Sequence, residues 1–96
     1  MADATLIYED KGLFADGGIV EVIIWRLPAA DKERLHGLKY SLFYGKEGQR
    51  IVGYDNERGK GDHRHFGNRE EKYSFSTIDQ MMRDFFADVR RARGEA

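Results

Sequence analysis

Six apolar side chains near the end of the chain, Ile78, Met81, Met82, Phe85, Phe86 and Val89, recur at i, i+3, i+4, i+7, i+8 and i+11. That spacing is the period of an α-helix with one apolar stripe. Such a helix persists in water only where another layer covers the stripe. Ser76 or Thr77 supplies an N-cap, with Asp79 or Gln80 as the third helical residue. Arg90, Arg91 and Arg93 suit the negative end of the helix dipole, and Gly94 is a natural stop. Methionine and phenylalanine at these positions read as core rather than as a cofactor site. The covering layer must therefore come from the residues before this helix.

Those residues read as strands. The run TLIYEDKGLFA is followed by Asp16-Gly17-Gly18 and then IVEVIIWRL, and Asp-Gly between β-rich runs is a hairpin signal. In the second run Ile19, Glu21, Ile23 and Trp25 share one face and Val20, Val22, Ile24 and Arg26 the other. Two largely apolar faces place that strand inside the sheet, with one side against a helix. Pro28 ends it for want of an amide donor, and a polar connection runs to Gly37, with His36 read as a solvated loop residue. LKYSLFYGK then alternates, Glu47-Gly48 forms a second hairpin turn, and QRIVGYDN follows. Gly53 inside this last strand marks a bulge or a close backbone approach. After a Gly-rich cationic stretch at 57–69, a short strand is predicted around Tyr73 to Phe75. The expected fold is α+β, an antiparallel sheet of four to five strands with one C-terminal amphipathic helix packed on a face, formed by residues 1–96 as a single domain.

With 96 residues the chain can build one modest core. It has no cysteine, which excludes disulfides, Cys-ligated zinc and a Cys nucleophile. The longest apolar run, Val22 to Trp25, is far short of a membrane span, and the N-terminal residues show no signal-peptide core. The expectation is a cytoplasmic protein with no membrane partner. The formal charge of -1 argues at first against nucleic acid, but the charge is polarised. Residues 1–25 hold five acids and one base, whereas Arg58 to Arg69 hold four bases and one acid, together with two of the three histidines.

That cationic stretch is the candidate site. Extended, Asp62 to Phe66 would place His63 and His65 on one face and Asp62 and Arg64 on the other. Two imidazoles titrating near neutrality suit general acid–base chemistry. Cleavage of an RNA phosphodiester uses these residue types: His63 and His65 as acid and base, Lys60 or Arg64 beside the phosphate, Asp62 or Asp55 orienting a histidine. In a binding reading, Arg58, Lys60, Arg64 and Arg69 contact phosphates while Tyr54 and Phe66 stack on unpaired bases. Tyr54 and Phe66 equally fit a core. In a metal reading His63 and His65 are two facial ligands, with Asp55, Glu57, Asp62 or His36 as a third. No third ligand is fixed by spacing, and Lys60 and Arg64 oppose a cation, so no metal or other cofactor is expected. Glu70 and Glu71 are either solvated or a clasp for the basic segment. The chain lacks a P-loop and a nucleophile elbow.

The runs IVEVIIWRLP at 19–28, LKYSLFY at 38–44, YDNERGKGDHRHFG at 54–67, REEKYSF at 69–75 and DFFADVRR at 84–91 follow one another in an order that resembles the TumE-type toxins of bacterial and archaeal toxin–antitoxin systems. The matching positions are Tyr54, Asp55, Asn56, Lys60, Gly61, Asp62, His63, Arg64 and His65. The resemblance implies a cytoplasmic toxin neutralised by a cognate antitoxin protein. By analogy with other small toxins it raises RNA as the target. Two functional readings stay open: a metal-independent endoribonuclease, and a non-catalytic module that binds phosphate, RNA or a partner protein. An open sheet edge near the N-terminus leaves room for a homodimer, as would Phe85 or Phe86 at a helix-mediated interface.

Overall fold

The computed structural model describes residues 3–32, 34–56 and 61–95. Among them, six strands form one antiparallel sheet in sequence order: β1 (Thr5–Leu13), β2 (Ile19–Arg26), β3 (Leu38–Lys46), β4 (Gln49–Asp55), β5 (His63–Phe66) and β6 (Arg69–Lys72). The helix α1 (Ile78–Ala92) follows them. The α+β class and the C-terminal helix are as the sequence predicts.

The strand count is not four to five but six. The cationic stretch is itself a hairpin: Gly67-Asn68 joins β5 to β6, and Gly67 takes the positive φ that such a turn needs. Neither strand shows hydrophobic alternation, because β6 is the outer strand with all four residues exposed and β5 is its neighbour. The residues Tyr73 to Phe75, predicted as a strand, lie beyond the end of β6 without regular structure. The Tyr73 amide still bonds the Asp62 carbonyl (3.0 Å), while its ring packs on Tyr54 (centroids 4.9 Å apart) and its hydroxyl donates to Asp84 on α1 (2.6 Å). The Glu47-Gly48 turn has φ of 54° and 78°, the paired left-handed residues of the turn type that matches strand twist.

Alternation puts Val20, Val22, Ile24, Leu38, Tyr40, Leu42, Tyr44, Val52 and Tyr54 on one face, where they bury with Met81, Phe85 and Val89 of α1. Phe85 is wholly enclosed in this core, which removes it from any interface. Thr77 is the N-cap, its side chain accepting from the Gln80 amide (3.0 Å). At the other end Gly94 (φ 73°) gives a left-handed stop in which its amide bonds Arg91 and that of Glu95 bonds Arg90. The opposite face of the sheet is not covered by α1, and β1 is the other edge strand.

Candidate functional site

The strand pairing of β4, β5 and β6 sorts the cationic segment residue by residue. Gly53 faces His65 and Asp55 faces His63 across β4–β5, while Tyr54 faces Arg64. On β6, Lys72 lies opposite His63 and Glu70 opposite His65. With period two, His63 and His65 therefore stand on the helix-free face together with Asp55, Glu70 and Lys72. Arg64, Phe66, Arg69 and Glu71 stand on the helix side.

The two histidines differ in what their nitrogens do. His63 Nδ1 lies 3.0 Å from the Gly61 carbonyl, which can only accept, so Nδ1 carries a proton. Gly61 has a φ of 73° and turns the chain so that its carbonyl meets that ring. The nearest acid, Glu70, is 3.6 Å from Nε2, beyond a hydrogen bond. His65 is held at both ends. Its Nδ1 accepts from Arg50 (3.1 Å), which has no lone pair to offer, so the proton sits on Nε2, facing Asp55 at 3.4 Å. A ring fixed in this way positions its neighbours and does not exchange protons without breaking a contact.

Arg50 was missed from sequence, and Gly53 is the signal that could have found it. A Cβ on Gly53 would come within 2.7 Å of Arg50 Cδ, so the bare strand lets the arginine lie across it to His65 and to within 3.9 Å of Asp55. Gly53→Val is expected to lift Arg50 from His65 at a cost under ~1 kcal/mol, since a β-branched residue suits a strand. The ¹⁵N shift of His65 Nδ1 reports that loss, and an unchanged shift would refute the role given to Gly53.

The other motif residues brace the hairpin. Tyr54 is fully buried and donates to Asp88 of α1 (2.6 Å), so its ring is enclosed in the core and offers no face to a base. Arg64 forks onto both oxygens of Asp88 (2.8 and 2.7 Å), on the opposite side of the sheet from the histidines. Asn56 is buried and continues the β3–β4 ladder with its amide, accepting from Tyr40 N (3.0 Å) and donating to Leu38 O (2.7 Å). Asp62 orients neither His63 nor His65. It accepts from the Tyr40 hydroxyl (2.6 Å) and pairs with His36 Nε2 (2.9 Å).

His36 is accordingly not a solvated loop residue. Its ring packs on Phe75 at 4.3 Å, and its Nδ1 accepts from the Leu38 amide (3.1 Å). Both nitrogens are thus engaged in fixing the end of β3. Glu70 and Glu71 act as the clasp, one leaning to His63 on one face and the other to Arg64 (3.7 Å) on the other. Arg58 and Lys60, with Glu57, lie outside the described residues. Among the described residues no three histidine or carboxylate side chains are grouped so as to hold a metal ion. No described helix is long and apolar enough to cross a membrane.

Farther along the helix-free face, Trp25 and Phe43 are partly exposed, and Lys39 and Ser41 are open to solvent. These residues, found by the same alternation, extend the histidine patch into a surface carrying rings and cations. The family model described as toxin TumE matches residues 3–93. No curated protein and no solved structure matches the chain.

Proposed function

The chain belongs to the toxin TumE family, and we propose that it arrests growth by cleaving RNA on the helix-free face of its sheet, with His63 as the proton acceptor. Family membership implies an antitoxin partner. The observation that carries the catalytic reading is the setting of His63: Nδ1–H is committed to the Gly61 carbonyl, and Nε2, 3.6 Å from Glu70, makes no hydrogen bond among the described residues. An imidazole oriented through one nitrogen by a backbone carbonyl can take a proton on the other.

In the proposed step Nε2 takes the proton of a ribose 2′-hydroxyl. The 2′-oxygen then bonds the adjacent phosphorus, the bond from phosphorus to the 5′-oxygen breaks, and the leaving oxygen takes a proton from solvent. The products are a 2′,3′-cyclic phosphate and a 5′-hydroxyl. Lys72, directly across from His63, and Arg50, which reaches over Gly53 to His65 and Asp55, supply positive charge for the phosphorane. Trp25 and Phe43 give unpaired bases a surface to stack on, which favours single-stranded RNA over a duplex. His65 and Asp55 hold Arg50 in place.

Purified protein incubated with cellular RNA tests this. Wild type is expected to produce ends with cyclic phosphate, in the presence of chelator as in its absence. His63→Ala should slow cleavage by about 10²–10⁴-fold, the usual worth of a general base. A competing reading, a binding module without catalysis, draws on the double engagement of His65 and the burial of Tyr54. It predicts that His63→Ala arrests growth as well as wild type does, and that outcome would sink the nuclease.

A further inference from the structure

The arginines of the motif are on the wrong side of the sheet to serve His63, and what they form instead is a second site. Arg64, Phe66, Arg69, Glu71 and Arg91 line a cavity of about 190 Å³ between the β5–β6 hairpin and the C-terminal half of α1. Asp88, buried beneath it, fixes two of the three guanidinium groups. It takes Nε and Nη2 of Arg64 and Nη1 of Arg91 (2.8 Å). Those contacts leave Arg64 Nη1, 3.7 Å from Glu71, and the other Arg91 donors without a hydrogen bond to Asp88. The side chain of Arg69, exposed on β6, has no hydrogen-bond or ion-pair partner among the described residues. Three cations thus face two carboxylates, and one of those carboxylates is beneath the floor.

We infer that this cleft seats a backbone phosphate of the same RNA strand whose ribose meets His63, so that the strand passes over the β6 edge from one face of the sheet to the other. The inference rests on the RNA reading and specifies where the substrate lies. A cavity of about 190 Å³ is below the ~300–1,000 Å³ of pockets that enclose a small molecule, and it suits one charged group of a longer chain. Guanidinium forks match phosphate oxygens, and their orientation by Asp88 is already set in the free protein. The outer strand β6 joins the two faces: it presents Lys72 on the histidine face and Arg69 on the cleft face, one cation to each side, with Glu70 and Glu71 between them.

Arg64 is a poor test position, because its loss would strand buried Asp88 and unfold the hairpin. Arg69→Glu, a surface change, serves instead, together with Arg91→Glu, whose folding is checked by far-UV circular dichroism because Arg91 also bonds Asp88. The probe is a 2′-O-methyl RNA oligonucleotide, which binds but lacks the hydroxyl needed for cleavage. Each variant is expected to weaken its binding by tenfold or more. Arg69→Ala should lower the slope of log affinity against log salt by about 0.7, the share of one single-strand phosphate contact. His63→Ala reports on cleavage, whereas Arg69→Glu reports on binding of an oligonucleotide that cannot be cleaved, so failure of the nuclease and failure of the cleft are separable. The cleft is overturned if wild type, Arg69→Glu and Arg91→Glu bind the oligonucleotide equally. It is also overturned if these variants lose only an acidic probe such as polyglutamate, which would make the cleft a protein-binding surface.

Discussion

Asp88→Ala is expected to destabilise the protein by about 3–5 kcal/mol, the usual cost of breaking a buried ion pair from one side. The carboxylate is 1% exposed and accepts from the Tyr54 hydroxyl, from Arg64 twice and from Arg91. Removing it leaves a buried phenol without an acceptor and a guanidinium without its counter-charge, on strands β4 and β5 at once. The β5–β6 hairpin has few apolar side chains of its own, so this junction is its main tie to α1. Asp88→Asn keeps an acceptor for Tyr54 and should cost about half as much, since hydrogen bonds to charged groups are the stronger ones. The combined variant Tyr54→Phe, Arg64→Met, Asp88→Leu should recover part of the loss by leaving no polar group unpaired. Urea midpoints at a fixed m-value measure all three. A shift of less than 0.5 M for Asp88→Ala, about 0.5–1.5 kcal/mol at typical slopes, would show the junction to be dispensable.

Alkaline pH should unfold the protein more abruptly than its composition suggests. Tyr40, Tyr54 and Tyr73 are each pushed well above the usual phenol range, by burial first and then by donation to Asp62, Asp88 and Asp84 respectively. A phenol whose folded pKa is raised holds its proton in the native state after the unfolded chain has lost it. Its stabilising contribution is complete below the unfolded value near 10 and falls as pH rises beyond it. The slope is about 1.4 kcal/mol per pH unit for each buried phenol. For Tyr40 and Tyr54, which are almost fully buried, the joint loss is about 5 kcal/mol by pH 12. That reaches the lower end of the whole stability of a small domain, about 5–15 kcal/mol. Phenolate absorbance and far-UV circular dichroism should therefore change together. If these phenols titrate near pH 10 while the fold stays intact, the burial argument fails. At the acid end the sign reverses for Asp84, whose carboxyl is lowered chiefly by the Tyr73 hydroxyl, so its contribution is lost as pH falls below the ordinary aspartate range.

The helix was legible in the sequence because its signal is redundant: six apolar residues in register, a cap and a stop all agree. The β1–β2 and β3–β4 hairpins were legible for the same reason, through Asp-Gly and Glu-Gly turns between alternating runs. The β5–β6 hairpin was not, because an exposed outer strand buries too little to need apolar residues. The chemistry of the motif, HRH preceded by YDN, could be placed on faces by period two but not assigned to partners. How each histidine ring is held depends on the Gly61 carbonyl and on Arg50, neither of which announces itself by residue type.

By itself the sequence determined the class of fold, the position of its helix, the polarisation of its charge and the membership of its family. These follow from local periodicity and from motif order, which survive in one dimension. Only the tertiary structure decided that the motif divides across the sheet. Successive β5 side chains point to opposite faces, so His63 and His65 meet Arg50, Asp55 and Glu70 on the open side. Arg64 is drawn the other way by a carboxylate 24 residues distant on α1. The segment that reads as one basic patch is divided between two faces, and the thickness of one β-sheet separates its histidines from Arg64.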